Sequence, residues 1–334
     1  VAAIDSRSEN DARGPRIAGI DALRGAAILA MVAYHLSWDL SAYGITAVDV
    51  ANTPGWIIFA RTIAGSFLAI VGVSLVLATR NGFRLAAFLR RLGIIVAAAA
   101  LVSAGTYWLL PDAFVFFGIL HSIAVSSVLA LPFLRAPAWF TALFGALVIA
   151  GPWFLADPAF DAPGWLWLGL ATVPPRTVDY VPLFPWFGVV LLGVAAGRLL
   201  VTTGGGRFAH WRPAGPTARG LIFAGRWSLL IYLVHQPILL GILSVVAPLV
   251  GPGPEALARI YGQQYAVGCV AEGYDQATCE AYAACILAKV RAEPDLLADA
   301  AADRLSESNR QRWEDDVIAC RIEVLPPPSL DGGT

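Results

Sequence analysis

The chain has 334 residues, 57% of them hydrophobic and 14% charged, with a mean hydropathy of +0.66. Soluble domains carry about one quarter charged residues, so this balance excludes an ordinary soluble domain and points to a polytopic membrane protein. The formal net charge of −1 leaves no basic surplus for a nucleic-acid partner. Lys289 is the only lysine, so nearly all the positive charge is arginine, which stays charged in a membrane.

A membrane span needs about twenty apolar residues. On that criterion the spans fall at 17–36, 55–78, 89–110, 114–134, 138–156, 183–201 and 227–250. They are separated by Pro54, Arg80-Asn81-Gly82, Pro111-Asp112, Arg135-Ala136-Pro137, the Pro/Asp-rich 157–182 and the Gly204-Gly205-Gly206 loop. The first span carries Asp21 and Arg24 and is followed by no small-residue cleavage site, so it reads as a retained helix rather than a signal peptide. The expected fold is all-α: a polytopic bundle of about seven spans with a small helical, disulfide-stapled C-terminal tail. Its parts are an N-terminal segment (1–16), the bundle (17–250) and the tail (251–334).

Orientation follows from the arginines. Arg7, Arg13 and Arg16 precede the first span, and Arg80, Arg84, Arg90 and Arg91 surround the second connection. Arg135 lies in the fourth connection, and Arg198, Arg207, Arg212, Arg219 and Arg226 surround the sixth. The alternate connections hold only Arg176. The arginine-rich side is expected to be cytoplasmic, which places the N-terminus inside and the tail outside. All four cysteines, Cys269, Cys279, Cys285 and Cys320, lie in that tail. Two disulfides in an oxidising compartment fit this placement, with three connectivities open. Their spacing does not match paired CxxC zinc sites, so no metal is expected. Within the tail, helices are expected at 276–292 and 306–321, and the tail reads as a stapled cap without chemistry of its own.

Ionisable groups inside the spans are costly and mark function or internal pairing. IDALRGAAILAMVAYHLSWD carries Asp21, Arg24, His35 and Asp39 at separations of three, eleven and four. With about 100° per residue they share roughly a quarter of the helix circumference, together with Trp38. Arg24 and His35 lie about 16 Å apart along the axis, one near each membrane face. Asp21 can orient Arg24, and Asp39 is one turn from the imidazole. His121, His235 and Arg61 are further intramembrane polar groups expected to face the interior, whereas Arg90, Arg91 and Arg198 sit at cytoplasmic helix ends.

The strings DALRGAAILAMVAYHLSWDL, DYVPLFPWFGVVLLGVAAGRLL and GRWSLLIYLVHQPILLGIL, in this order, resemble the bacterial relatives of the heparan-alpha-glucosaminide N-acetyltransferase catalytic domain. The resemblance covers about residues 15–250 and lies within a wider superfamily of transmembrane acyltransferases. In that superfamily an Arg is followed eleven residues later by a His in the first helix, a spacing that Arg24 and His35 reproduce. The resemblance implies a multi-pass protein of the bacterial inner membrane, with acetyl-CoA or another acyl-CoA as cytoplasmic donor and a periplasmic glycan or sugar-containing acceptor. On that reading Arg24, oriented by Asp21, holds CoA phosphates with Arg90, Arg91 or Arg198. His35 acts as general base or acyl carrier, with Asp39, His121 and His235 as further catalytic candidates and Trp38 and Arg61 on the acceptor side. A transporter or flippase with a buried histidine proton relay is the alternative, and oligomeric state is open.

Overall fold

The computed structural model describes residues 17–204, 211, 214–301 and 304–326. The predicted N-terminal segment 1–16, with Arg7, Arg13 and Arg16, and the loop residues Arg207 and Arg212 lie outside the described residues. All regular structure among the described residues is helical. Among the described residues six helices are long and apolar enough to cross a membrane: α1 (Ala18–Ala42), α2 (Pro54–Thr79), α3 (Leu85–Leu109), α5 (Ala138–Leu155), α6 (Leu183–Thr202) and α8 (Ser228–Val250). Between them lie a shorter apolar helix, α4 (Ile119–Leu129), and α7 (Pro216–Arg226). The tail follows as α9 (Pro254–Ala271), α10 (Gln276–Arg291), α11 (Pro294–Ala301) and α12 (Glu307–Val324). The chain divides into two units, residues 1–32 with 58–235 and residues 33–57 with 236–334.

The first unit packs by bringing helix backbones close together. Lipid tails are as apolar as leucine, so spans associate through small residues that permit intimate contact rather than through a hydrophobic drive. A Cβ on Gly72 of α2 would collide with the Val190 carbonyl of α6, and one on Gly193 would collide with the Ala69 carbonyl of α2. Gly145 of α5 and Gly188 of α6 meet in the same way. Leu68, Val71, Leu75, Val190, Leu191 and Val194 fill the space around these crossings and are almost fully buried.

The fourth apolar segment crosses the bundle without being helical throughout. Its beginning is tied to the start of α6, because the Val178 and Val181 N–H groups donate to the Ala113 and Phe117 carbonyls. Its end is tied to the end of α6, where Arg198 Nη1 donates to the Leu134 carbonyl at 2.5 Å. A helix of that length is about 30 Å long, so residues 113–134 traverse a full span. The expected helix at 114–134 is nevertheless confined to Ile119–Leu129. Gly118 is extended (φ −92°, ψ −168°) and lies against the Asp179 carboxylate, and Pro132, which has no N–H, begins a 3₁₀ turn. Irregular backbone at this depth is tolerated when protein groups satisfy it, as the bonds to 178 and 181 do.

In the second unit α9 docks on the loop that follows α1. The Gly253 N–H donates to the Gly44 carbonyl at 3.0 Å, Arg259 Nη2 to the Ser41 carbonyl at 2.6 Å, and Gln263 Nε2 to Asp49 at 2.9 Å. Gly44 has φ +71° and would press a Cβ onto Pro252, so both its conformation and its neighbour require glycine. The tail pairs Cys269 with Cys279 and Cys285 with Cys320, which resolves the connectivity. Leu257, Tyr282, Ile286, Val290 and Leu297 pack around both disulfides. Asp275 caps α10 through the Thr278 N–H, and Ser306 caps α12 through the Asn309 N–H. The two tail helices expected from sequence are present, and α9 and α11 were not anticipated.

Candidate functional site

In the first unit the opening turns of α1 carry a charged cluster. Arg24 donates from Nη1 to Asp21 Oδ1 at 3.3 Å and from Nη2 to Ser74 Oγ of α2 at 3.0 Å. Arg226 places its Nε 3.6 Å from Asp21 Oδ2, so one carboxylate faces two guanidinium groups. With one nitrogen on Asp21 and one on Ser74, the Arg24 guanidinium is held in a fixed orientation, a donor fork suited to anionic oxygens. Arg90 and Arg91 are exposed, Arg61 is exposed too and so does not face the interior as expected, and Arg198 holds the turn at Leu134.

The same unit buries a polar hub where α4 begins. Gly118 N–H donates to His121 Nδ1 at 3.3 Å, so the imidazole carries its proton on Nε2, which reaches Ser103 Oγ at 3.2 Å. Ser103 in turn donates to the Val115 carbonyl. Both ring nitrogens of His121 are thereby committed to holding the break before α4. Asp179 Oδ2 accepts the Ile119 N–H at 2.9 Å and the Tyr232 hydroxyl at 3.4 Å. His235 is 8% exposed and donates from Nδ1 to the Tyr232 carbonyl at 2.7 Å, which leaves Nε2 as the acceptor nitrogen.

The second unit holds the other end of the predicted stripe. α1 continues six residues beyond the predicted boundary at 36, to Ala42, so Asp39 lies within the helix. Asp39 is completely buried, and its Oδ1 accepts from Gln236 Nε2 at 3.1 Å. Asp39 Oδ2 and Gln236 Oε1 have no hydrogen-bond partner among the described residues. A buried carboxylate without full compensation is costly. His35, one turn before it, is half-buried and edge-on to the Tyr34 ring at 5.7 Å. Tyr34 also packs on Trp56, at 6.2 Å, and Trp38 is half-buried.

Sequence reasoning missed Asp179, Ser74 and Tyr232. Asp179 stands in a Pro-rich connection that hydropathy treats as a loop, and an isolated Ser or Tyr in an apolar run carries no periodic signal. Gln236 had one available signal, its position beside His235 and Pro237 inside a span.

Over residues 16–237 the chain matches the family model described as heparan-alpha-glucosaminide N-acetyltransferase, catalytic. That stretch includes every intramembrane group described above and stops short of the disulfide-bonded tail. No curated protein and no solved structure matches the chain. Because the match extends over more than half of its length, the chain belongs to the heparan-alpha-glucosaminide N-acetyltransferase catalytic-domain family, a transmembrane acetyltransferase-type domain.

Proposed function

We propose that the protein is an integral membrane acyltransferase that moves an acetyl or other acyl group from cytoplasmic acyl-CoA to a periplasmic glycan or sugar-containing acceptor. The observation that carries this reading is the distribution of charge along α1. Its opening turns carry Arg24, held by Asp21 and Ser74, and its later turns carry His35 and Asp39. Coenzyme A is a polyanion, and guanidinium groups match its phosphates. Arg24 and Arg91 bind them, with Asp21 and Ser74 fixing the orientation of Arg24.

His35 then removes the proton from an acceptor hydroxyl or amine. The acceptor oxygen or nitrogen attacks the thioester carbon, the carbon–sulfur bond breaks, and the proton passes to the departing CoA sulfur. The recorded bonds of His121 support a structural role for it in this scheme, which also weakens a histidine relay of the transporter kind.

The test uses purified full-length chain and labelled acetyl-CoA. Wild type is expected to bind the donor and hydrolyse it slowly. Arg24→Ala and Arg91→Ala are each expected to weaken binding about tenfold, the order of a lost charge-assisted hydrogen bond. His35→Ala is expected to retain binding and lose roughly a hundredfold or more in turnover. Absence of CoA binding in wild type, or no effect of Arg24→Ala, rejects the acyltransferase reading.

A further inference from the structure

One further feature stands outside the acyl-transfer reading, the outer face of α7. Its inner face is packed: Ile222, Ala224 and Gly225 are buried. Gly225 lies against the Asp21 carbonyl, and Gly25 of α1 lies against the Leu221 carbonyl. Arg219, Phe223 and Arg226 recur at helical spacing on the opposite side and lead into Trp227. Phe223 is 64% exposed, Trp227 51%, and the Arg226 side chain 54%. With Ala18 and Ile222 these side chains line an open cleft of about 510 Å³.

Ala18 is the first residue of α1, and Trp227 immediately precedes α8. The cleft therefore lies where two membrane spans begin, at the depth of lipid headgroups, where Trp and Arg are at home. Both charged residues lining it are arginines. Each is anchored through Nε, Arg219 to the Gly215 carbonyl at 3.3 Å and Arg226 towards Asp21 at 3.6 Å. That arrangement leaves the terminal nitrogens of each fork to meet a phosphate.

We infer that this cleft binds the headgroup phosphate of an anionic membrane phospholipid. Arg219 and Arg226 clamp the phosphate, and Phe223 and Trp227 pack on the glycerol and the first methylenes of the chains. Asp21 faces both Arg226 and Arg24, so a lipid held by Arg226 bears on the same carboxylate that orients Arg24.

The experiment measures the lipid retained by full-length protein after purification from membranes and exchange into detergent with added phosphatidylglycerol or phosphatidylcholine, by native mass spectrometry. Wild type is expected to retain phosphatidylglycerol, and Arg219→Gln with Arg226→Gln to weaken retention at least tenfold. Arg219→Lys with Arg226→Lys should recover part of it. Arg80→Gln, an exposed arginine outside the cleft, should behave as wild type. Equal retention of phosphatidylcholine, or undiminished retention by the double Gln variant, overturns the assignment. So does a loss in Arg80→Gln as large as in the double variant. Displacement of phosphatidylglycerol by millimolar coenzyme A would give the cleft to the donor instead and would also overturn it. Because the readout is lipid retention, the outcome is independent of whether the protein transfers acyl groups.

Discussion

The α2–α6 crossing and the C-terminal tail solve opposite problems with different chemistry. Between spans no apolar surface is gained from water, and the helices are held by backbone contact at Gly72 and Gly193 and by close packing around them. The tail has four short helices and a small core, and it adds two disulfides, two side-chain N-caps and ion pairs such as Arg291–Glu255 at 3.1 Å and Arg321–Glu272 at 2.6 Å. A small water-exposed unit cannot bury enough apolar surface alone, so covalent staples carry part of its stability. Steric fit between backbones therefore holds the bundle crossing, whereas restriction of the unfolded chain adds to the stability of the tail.

Removal of the Cys285–Cys320 disulfide by paired alanine substitution should break the tail side of this comparison. It closes the longer loop, with a separation of 35 against 10 for Cys269–Cys279. Chain-entropy arguments give losses of about 4 and about 3 kcal/mol respectively. Protease sensitivity of the tail across a denaturant series reads the order, and an equal loss from both pairs would count against the entropic account. On the bundle side, Gly193→Ala should cost about 2–3 kcal/mol, since the added methyl meets backbone rather than a side chain that can turn away. Thermal unfolding in detergent measures it, and wild-type stability would mean that the crossing is looser than its contacts indicate.

The smallest effect concerns pH. The hydrogen bond and charge of Arg321 hold the exposed Glu272 carboxyl below the usual carboxylate range. Its contribution is therefore present above the unfolded pKa, about 4.3, and is lost as pH falls through the lower folded value. Glu272→Gln should flatten the acid limb of tail stability slightly, and an unchanged pH profile would show the pair to be neutral.

Much of this was legible beforehand because the physics involved is local. Hydropathy located six long helices to within a few residues at most ends, although α1 ran on to Ala42. The Asp21–Arg24 pair followed from helical spacing and is present. The non-helical start of the fourth segment was not legible, because Ala113, Phe117 and Ile119 look like any apolar residues, and their backbone partners Val178, Val181 and Asp179 stand about sixty positions away. The partner of Asp39 was equally hidden, since Gln236 stands 197 residues further along. The α7 helix escaped because a short amphipathic stretch beside a glycine-rich loop lies below any hydropathy threshold.

By itself the sequence determined that the chain is an all-helical membrane protein, that the ionisable groups of the first helix share one stripe, and that its cysteines belong to one segment. These are properties of composition and helical period, which need only neighbouring residues. Tertiary structure alone decided the cysteine pairing, the hydrogen bonds of His121 to Gly118 and Ser103, the enclosure of Asp39 with Gln236, and the cleft formed by α7 with the start of α1. Each of those depends on which distant backbones approach one another, and that is set by close packing rather than by any pattern along the chain.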